Sequence, residues 1–402
     1  MLTHRDSEVP ASASTFSKPV IGNAVVISHV FATGPAQELV EYLRHATSRV
    51  DFIGHPFPYA QDIRTFHEVF LKGNRATLKK ATAWQLPGLL MFAKDLAYTI
   101  TWLAREKTGF HLCVGADGIN CLGGIFLKRM GKVRRVIFYT IDFAPNRFRN
   151  PILSHLYRRI DRFCVNNSDV TWNLSSRMAD ARRESRSLLG GREITVPVGV
   201  WLDRIKPLSL REIDRRSLAF IGHLRRGHGI ELMIRSMPKI LEKVPDANLV
   251  IIGTGPSENE LKRLVGQLGL ASKVNFLGFV EDPEAAEGIL VKCSIGLAPY
   301  EPTQDSFSSN TDTGKPKLYL ACGLPVITTR VPWISRLVSE RNMGIVIQFG
   351  QEEFVQAATR LLTDEDFYEL CRKNALDYAQ ELDWRRIFDK AVAETVEMNS
   401  AA

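Results

Sequence analysis

The stretch from Lys315 to Thr329 combines residue types that can hold phosphate. It reads Lys-Pro-Lys-Leu-Tyr-Leu-Ala-Cys-Gly-Leu-Pro-Val-Ile-Thr-Thr, which predicts a short helix, a turn at Gly323 and a buried strand. The N-terminus of a helix attracts phosphate because its first backbone N–H groups have no partner within the helix. A lysine beside that terminus adds positive charge. We therefore predict that Lys315 contacts a diphosphate.

Two glycine-rich turns upstream could contribute to the same site. Gly222-His-Leu-Arg-Arg-Gly-His-Gly229 carries Arg225 and Arg226, and Gly253-Thr-Gly255-Pro follows the next predicted strand. The guanidinium groups of arginine and backbone amides can replace the hydration shell of a diphosphate. The complete predicted set is Gly222, Arg225, Arg226, Gly253, Gly255, Lys315 and Tyr319. The alternative for each cation is an exposed surface charge, and the Gly-Thr-Gly-Pro motif is weak by itself.

Candidates for proton transfer and acceptor binding follow predicted strands of the first half of the chain. Asp142 stands directly after the apolar run at 135–140, whereas Asp117 and His29 end two earlier runs. A positioned carboxylate or imidazole can act as a general base. Asp142 could instead pair with Arg147 or cap a turn. Asp117 precedes a glycine, as in many simple turns, and His29 could cap the first helix.

The elements that must position these residues follow an alternating pattern of strands and helices. In the first half, apolar runs at 24–29, 50–54, 112–116, 135–140, 170–175 and 194–198 predict strands. In the second half, the predicted strands are 217–222, 248–253, 273–278, 294–298, 325–329 and 344–348, and 352–397 is predicted to be helical throughout. Strands that alternate with helices form parallel sheets, and ligands bind at the carboxyl ends of such strands. We predict an α/β protein with two tandem Rossmann-like domains that face each other across a cleft.

The length of 402 residues suits two domains. We predict a flexible N-terminus at 1–20, an acceptor-binding domain at 21–200, a donor-binding domain at 201–375 and a C-terminal helix at 376–402 that crosses back to the first domain. The six cysteines form no Cys-x-x-Cys pair, which favours buried thiols over disulfides or a zinc site. No secretory signal or membrane-spanning run is recognisable, so we expect a cytoplasmic protein.

Positive charge is concentrated in the first half of the chain. Residues 1–199 hold 27 Lys and Arg against 16 Asp and Glu, a net charge of 27 − 16 = +11, and the whole chain carries +8, which leaves −3 for the rest. This asymmetry predicts contact with an anionic membrane surface or a phosphorylated acceptor. Nucleic acid is the rival partner, but no nucleic-acid-binding motif is recognisable, and we predict none.

Two segments of the first half depart from the regular alternation. The apolar and aromatic segment 82–107 could be an interfacial membrane helix, but we favour a helix of the first domain, with Lys94 and Asp95 on a solvent-facing polar side. The segment 131–162 places eight basic residues around a central carboxylate, Asp142. A series of charged residues of this kind usually forms a solvent-exposed face, but these residues lie on both sides of the end of a predicted strand.

The second half resembles the donor-binding domain of GT-B-fold glycosyltransferases, the bacterial enzymes that extend polysaccharides and glycolipids. Five segments carry the resemblance in the order of the family: Phe220-Ile-Gly222, Leu249 to Pro256, Val274 to Val280, Leu297-Ala-Pro-Tyr300 and Lys315 to Thr329. Many members have a glutamate five residues before the glycine of the last segment, where it contacts the ribose; here that residue is Leu318. Lys315 matches a lysine of some members, including the xanthan-assembly glucuronosyltransferase. For the first half the resemblance is looser and rests on Ile27-Ser-His29 and Tyr139-Thr-Ile-Asp142.

The resemblance implies a sugar nucleotide bound mainly by the second domain and an acceptor bound mainly by the first. It further implies a hexosyl- or glucuronosyltransferase that works without a bound metal or other cofactor, uses a UDP- or GDP-linked donor and acts on a glycan or lipid-linked acceptor. Asp142 corresponds to the catalytic aspartate of similar inverting enzymes, although a retaining outcome stays open. We expect a peripheral protein on the inner face of the membrane. A nucleotide-sugar epimerase of the same fold and a non-catalytic sugar-nucleotide-binding subunit are the alternatives.

Overall fold

The computed structural model describes residues 21–30, 34–57, 60, 62–84, 86–87, 89–144, 147–148, 150–184, 192–302 and 312–397. The predicted flexible segment 1–20 lies outside these residues, as does 303–311 of the loop before Lys315. The described part contains thirteen helices and two sheets of mostly parallel strands. The predicted α/β class, with two tandem Rossmann-like sheets, is confirmed.

The first sheet has eight strands: β1 (Ala24–Val30), β2 (Arg49–Pro56), β3 (Phe66–Leu71), β4 (Asn74–Lys80), β5 (Phe110–Ala116), β6 (Val133–Thr140), β7 (Val170–Asn173) and β8 (Glu193–Thr195). Their order is β4-β3-β2-β1-β5-β6-β7-β8. Strand β1 pairs in parallel with β2 on one side and β5 on the other. The strand order therefore reverses at β1, and the carboxyl ends of β1 and β5 flank the position where ligands bind in such sheets.

A β-hairpin at the edge of this sheet was not predicted. Strands β3 and β4 pair antiparallel, and β3 also pairs antiparallel with β2. The turn between them consists of Lys72 and Gly73, whose φ angles are 49° and 84°. Two successive positive φ angles are typical of the tight hairpin turn that matches the twist of paired strands. Gly73, which follows a run that contains β-branched and aromatic residues, was the sequence signal from which this hairpin could have been predicted.

The helices that accompany the first sheet are α1 (Pro35–Ala46), α2 (Leu89–Ala104), α3 (Gly118–Arg129), α4 (Pro151–Asn167) and α5 (Ser176–Glu184). The prediction for the polar side of α2 was wrong. Lys94 and Asp95 are buried, and the Lys94 Nζ lies 3.1 Å from Asp95 Oδ1. Asp95 also lies close to two buried histidines, His29 and His55. The charges of α2 therefore point into the protein because partners for them exist there, which helical periodicity cannot reveal.

The second sheet confirms the six strands predicted for this half: β9 (Ser217–Ile221), β10 (Asn248–Ile252), β11 (Val274–Gly278), β12 (Ile295–Ala298), β13 (Val326–Thr329) and β14 (Gly344–Ile347). All pairs are parallel, and the order is β11-β10-β9-β12-β13-β14. This is the doubly wound order, which reverses between β9 and β12. The glycine turn at Gly222 and the residue Tyr300 follow these two strands at the point of reversal.

The helices of the second half are α6 (Ile230–Lys243), α7 (Glu258–Gln267), α8 (Pro283–Leu290), α9 (Gly314–Ala321), α10 (Ser335–Glu340), α11 (Gln351–Thr363), α12 (Glu365–Ala379) and α13 (Trp384–Glu397). The prediction of continuous helix over 352–397 was wrong, because Asp364 ends α11 and caps α12 by accepting from Phe367 N. In α13, Thr395 Oγ1 accepts a hydrogen bond of 3.0 Å from Trp172 Nε1 on β7.

The chain divides into two compact units, 1–136 and 137–402, at a point within β6. The predicted domain limits at 200 and 375 stay a prediction. All six cysteines are buried and form no disulfide. Within the described ranges, no helix has both the length and the apolar composition needed to cross a bilayer.

Arg182 on α5 is a buried cation beneath the ends of two strands. Its guanidinium donates to both oxygens of Asp161 on α4, at 2.8 and 3.0 Å, and to Thr140 Oγ1 at the end of β6, at 2.8 Å. It also donates to Asn173 at the end of β7 and lies 4.7 Å from the ring centroid of Phe143. A charge removed from water is tolerated only when it is paired and fully hydrogen-bonded. Arg182 thus fixes the start of the loop that carries Asp142.

We predict that Arg182→Met lowers the free energy of unfolding by about 3–5 kcal/mol, because it leaves the Asp161 carboxylate buried without its cation. The matched control is Arg183→Met at the next position, whose side chain is exposed and pairs with Asp180 and Glu193; it should cost about 0–1 kcal/mol. Urea unfolding followed by circular dichroism measures both. Equal losses for the two variants would contradict the assigned role of Arg182.

Candidate functional site

The turns after β9 and β10 approach each other so closely that neither tolerates a side chain. A Cβ atom placed on Gly253 would lie 2.0 Å from Gly222 O, and one on Gly255 would lie 2.4 Å from Leu224 O. Gly222 and Gly253 have φ angles of 141° and 129°, which L-residues rarely adopt. The three predicted glycines therefore lie together at the carboxyl edge of the second sheet, where they allow the backbones of the two turns to come into contact.

Lys315 extends over this edge from the first turn of α9. A Cβ atom on Gly222 would lie 2.8 Å from Lys315 Cε, and the Lys315 Nζ lies 4.9 Å and 5.1 Å from the ring centroids of Phe220 and Tyr300. Among the described residues, no side chain caps the start of α9. The predicted combination of a lysine, a helix N-terminus and a glycine turn is thus brought together at one place.

His228 connects Lys315 to Arg225. Arg225 Nε donates to His228 Nε2 at 3.0 Å, so this ring nitrogen is an acceptor. In the neutral ring the proton then resides on Nδ1, which donates to His223 O at 2.8 Å. The Lys315 Nζ lies 3.2 Å from the same Nδ1. Because Nδ1 already donates to His223 O in this tautomer, it does not accept from Lys315.

The two adjacent arginines, Arg225 and Arg226, have different environments. The side chain of Arg226 is 77% exposed, and its Nη2 lies 3.7 Å from Glu260 Oε2. Arg226 therefore has an acidic neighbour that could not be recognised from the sequence. Both arginines line a pocket of about 610 Å³ with Arg235 and Glu260, and the residues that line it do not include Lys315. Arg226 thus has the environment of a surface charge, whereas Arg225 is hydrogen-bonded to His228, whose other ring nitrogen lies beside Lys315.

Tyr319 lies in the core beneath the site. Its side chain is buried, and its hydroxyl accepts from Ile221 N at 2.9 Å and donates to Leu297 O at 3.2 Å. Burial raises the pKa of this phenol, so it keeps its proton. Tyr319 therefore joins the ends of β9 and β12 rather than presenting a group to a ligand. Leu318, at the position where related enzymes often carry glutamate, is partly buried against the same apolar core.

A buried ion pair at the start of α9 was not predicted. Lys317 and Asp312 pair with each other, Lys317 Nζ donates to Val198 O at 2.7 Å, and Val198 N donates to Asp312 Oδ2 at 2.7 Å. Burial raises the pKa of Asp312, an effect that the Lys317 ammonium opposes. Both groups of the Val198 backbone are therefore tied to the segment that presents Lys315.

Asp142 lies in the loop after β6, as predicted, and pairs with Arg147. Its Oδ1 accepts from Arg147 Nη1 at 2.5 Å, and its side chain remains 38% exposed. Arg147 also lies 5.5 Å from the ring centroid of Tyr157 on α4. The ion pair that the sequence left as an alternative is thus present, and the carboxylate is nevertheless accessible. The role of Asp142 as a base stays a prediction.

His29 and Asp117 meet where β1 and β5 end. His29 Nδ1 donates to Asp117 Oδ2 at 2.7 Å, while its Nε2 lies 3.5 Å from Asp95 Oδ2. Asp117 has a φ of 78° and caps α3 by accepting from Asn120 N at 3.2 Å. A non-glycine residue in this conformation is strained, and such residues cluster at functional sites. His29 does not cap α1, whose N-cap is Gly34.

The two carboxylates keep His29 charged. Burial lowers its pKa, but Asp117 and Asp95 outweigh burial and raise the pKa of His29 to about 9. Burial would raise the pKa of Asp95, yet the hydrogen bonds and charges of His29, His55 and Lys94 hold it below its usual range. The pKa of His55 is lowered by its complete burial. At neutral pH, His29 is therefore a cation between two anions rather than a free base.

One group in the described part of the chain has the spacing of a metal site, formed by Asp51, His67 and Glu106. Arg49 donates to both oxygens of Asp51 at 2.6 and 2.8 Å and to Glu106 at 2.8 Å. His67 Nε2 contacts Asp51 at 2.7 Å. The guanidinium already supplies the positive charge that these carboxylates need, so this group is a buried ion-pair cluster.

The functional candidates that sequence reasoning missed are Asp95, His228 and Arg182. His228 stands within the glycine-rich turn, so its position was an available signal. Asp95 lies on a helix whose polar side was predicted to face solvent, and only its histidine partners on β1 and β2 distinguish it. Arg182 lies on α5, a helix for which no site was predicted, and its partners lie on α4 and at the ends of β6 and β7.

Comparison with known proteins supports the resemblance. Residues 215–364 match the family model for glycosyl transferases group 1. An uncharacterized glycosyltransferase of Methanocaldococcus jannaschii is 32% identical over 184 residues, which are 44% of each chain. A D-inositol 3-phosphate glycosyltransferase of Corynebacterium jeikeium is 25% identical over 255 residues, 57% of each chain. The chain thus spans about half the length of the curated relatives it matches.

Two solved structures share the fold over nearly the whole chain. Sucrose-phosphate synthase from Thermosynechococcus elongatus superposes with a TM-score of 0.71 at 17% identity, covering 94% of this chain and 100% of that one. HepE from Anabaena, in complex with UDP and glucose, gives a TM-score of 0.63 at 14% identity, covering 94% and 99%. The predicted resemblance is confirmed: this chain has the GT-B fold, and its residues 215–364 match the family model for glycosyl transferases group 1.

Proposed function

We propose that this protein is a glycosyltransferase that moves a sugar from a nucleotide-sugar donor to a glycan or lipid-linked acceptor in polysaccharide or glycolipid synthesis. One observation carries the proposal. The segment that matches group 1 glycosyl transferases contains the turns at Gly222 and Gly253 and the residue Lys315, which meet at the reversal point of the second sheet. This is the position where doubly wound sheets bind nucleotides.

The donor proposed here is a UDP- or GDP-linked hexose or hexuronic acid. HepE, which shares the fold, binds UDP and glucose. In this protein, Lys315 and Arg225 would contact the diphosphate, and the N-terminus of α9 would add backbone donors. These cations would also stabilise the charge that develops on the leaving diphosphate. We therefore propose a transfer that requires no resident metal or other cofactor.

Asp142 is the proposed general base. In an inverting transfer, its carboxylate would take the proton of the acceptor hydroxyl while the bond from the sugar to the donor phosphate breaks. Its partial exposure gives an acceptor access, and the pair with Arg147 fixes its orientation. His29 and Asp117 are proposed for the acceptor side. The side chain of His29 is charged and only 8% exposed, whereas that of Asp117 is 41% exposed. Asp117 is therefore the member of this pair that an acceptor can reach.

The direct test is an assay of nucleoside diphosphate release. The protein is incubated with a panel of sugar nucleotides, with and without a membrane extract that contains glycan and lipid-linked acceptors. Acceptor-dependent release supports the transferase. Conversion of the donor without any acceptor would identify an epimerase, and donor binding without turnover would identify a non-catalytic binding subunit.

We predict that Lys315→Ala weakens binding of UDP or GDP by about tenfold or more, because a charge-assisted contact to the diphosphate is lost. Isothermal titration calorimetry measures the dissociation constant. The matched control is Lys239→Ala, an exposed lysine on α6, which should leave binding unchanged. An unaltered dissociation constant in the Lys315 variant would remove this residue from the donor site.

For Asp142→Asn, we expect turnover to fall by about 10²–10⁴-fold, the usual contribution of a general base. Donor binding should stay near the wild-type value because the amide occupies the same space. Arg147→Met serves as the comparison, since it removes the ion pair but leaves the carboxylate in place. If the asparagine variant keeps wild-type turnover, Asp142 is not the base.

The raised pKa of His29 predicts a pH-dependent stability. A histidine whose pKa rises from 6.5 to about 9 on folding stabilises the folded state fully below pH 6.5, and this contribution is lost as the pH rises through 9. The contribution is about 3 kcal/mol. Urea unfolding between pH 6 and 10 should show this fall for the wild type and not for His29→Gln. The control is His45→Gln, which replaces an exposed histidine on α1 and should follow the wild-type pH profile. A pH profile of His29→Gln that runs parallel to that of the wild type would contradict the assignment.

A further inference from the structure

The outward side of α4 exposes large apolar side chains. Ile152, Leu156 and Phe163 are 75%, 39% and 36% exposed, and Phe148, just before the helix, is 40% exposed. Positions 152, 156 and 163 share one face of a helix because they are separated by four and seven residues. Single exposed apolar residues are normal on protein surfaces, but a stripe of them on one helix face indicates a binding surface.

The inward side of the same helix explains why the stripe faces outward. Ser154, Asp161, Cys164 and Val165 are the buried residues of α4. Asp161 is held inside by Arg182, and Ser154 Oγ donates to Phe148 O at 2.8 Å and accepts from Phe148 N at 3.0 Å. These contacts fix the rotation of the helix about its axis. Ile152, Leu156 and Phe163 therefore cannot turn inward without breaking the buried ion pair.

The charges of α4 identify the occupant of this surface. Asp161 is the only acidic residue of the helix, and it is buried. His155, Arg159 and Arg162 are exposed among the apolar side chains. The surface thus combines aliphatic and aromatic side chains with cations and has no exposed carboxylate of its own. The aliphatic part of an arginine side chain can lie along apolar groups while its guanidinium stays in a polar layer, where it can contact phosphate.

We infer that the outer face of α4, formed by Ile152, Leu156, Arg159, Arg162 and Phe163, docks on a membrane surface that contains anionic lipids. The apolar side chains would enter the headgroup region, and the arginines would contact lipid phosphates, as in other interfacial helices. The sequence predicted an anionic membrane partner for the first half of the chain and considered 82–107 as the interfacial helix. Among the described residues of α2, only Leu90 is an exposed large apolar side chain, whereas α4 exposes three on one face, which favours α4.

The loop that carries Asp142 packs against a flank of the same helix through Tyr157, which lies about 100° around the helix axis from Leu156. The Tyr157 ring on α4 lies 6.2 Å, centroid to centroid, from both Phe143 and Phe148, and Arg147 lies over it. Docking through α4 would therefore place the proposed base beside the lipid headgroups, where a lipid-linked acceptor presents its sugar. The docking itself depends on no donor and no transfer reaction.

The test is co-sedimentation with phosphatidylcholine vesicles with and without phosphatidylglycerol, performed in the absence of any sugar nucleotide. We expect the wild type to bind only the vesicles that contain phosphatidylglycerol. The triple variant Ile152→Ser, Leu156→Ser, Phe163→Ser should bind these vesicles at least about tenfold more weakly, because three apolar contacts are lost. The matched control replaces Leu277, Leu370 and Phe279, which are also exposed, by serine and should bind like the wild type.

A charge-reversal pair tests the electrostatic part. Arg159→Glu with Arg162→Glu should abolish binding, whereas Lys239→Glu with Lys243→Glu on α6 should not. Thermal unfolding verifies that each variant is folded, and light scattering reports self-association. Failure of the wild type to bind anionic vesicles, or equal binding by the α4 and control variants, would overturn the inference. A dimer that the α4 triple variant dissociates, without a change in vesicle binding, would assign this face to a second copy of the chain.

Discussion

The proposed donor site depends on a steric constraint, the contact between the backbones of the turns after β9 and β10. With Gly222 O only 2.0 Å from where a Cβ of Gly253 would lie, any side chain there would push the two turns apart. The missing side chain at Gly222 also leaves the space in which the stem of Lys315 rests. A cation and a helix N-terminus can then approach the same anion, an arrangement that suits diphosphate recognition.

Around this edge and at the ends of the first sheet, buried ion pairs hold the loops that carry the candidate residues. Arg182 with Asp161 fixes the exit of β6, Lys317 with Asp312 fixes the entrance of α9, and His29 lies between Asp95 and Asp117. Loops have few apolar contacts to define their position, so directional contacts between opposite charges take that role. The cost of desolvating these groups is offset only in one geometry, which makes each pair specific as well as stabilising.

Much of the fold could be predicted from the sequence, because strand and helix periodicity and glycine turns are local signals. All six strands of the second sheet were anticipated, as were the positions of Gly222 and Gly253 at strand ends and of Lys315 at the start of a helix. The predictions failed where the local pattern was ambiguous. Lys94 and Asp95 give α2 a polar side that is compatible with solvent, and nothing local distinguishes it from a polar side that faces buried histidines. The β3–β4 hairpin was missed because its second strand is exposed along its whole length and lacks an apolar alternation.

The sequence by itself determined the order of strands and helices, the places where the backbone must be glycine, and the excess of positive charge in the first half. These properties reside in single residues and their near neighbours. Only the tertiary structure decided that Arg225 and not Arg226 is hydrogen-bonded to His228 beside Lys315, that Asp142 pairs with Arg147, and that α4 turns its apolar side chains outward. Each of these outcomes depends on which side chains meet in space, and packing, burial and charge pairing settle that only when the whole chain has folded.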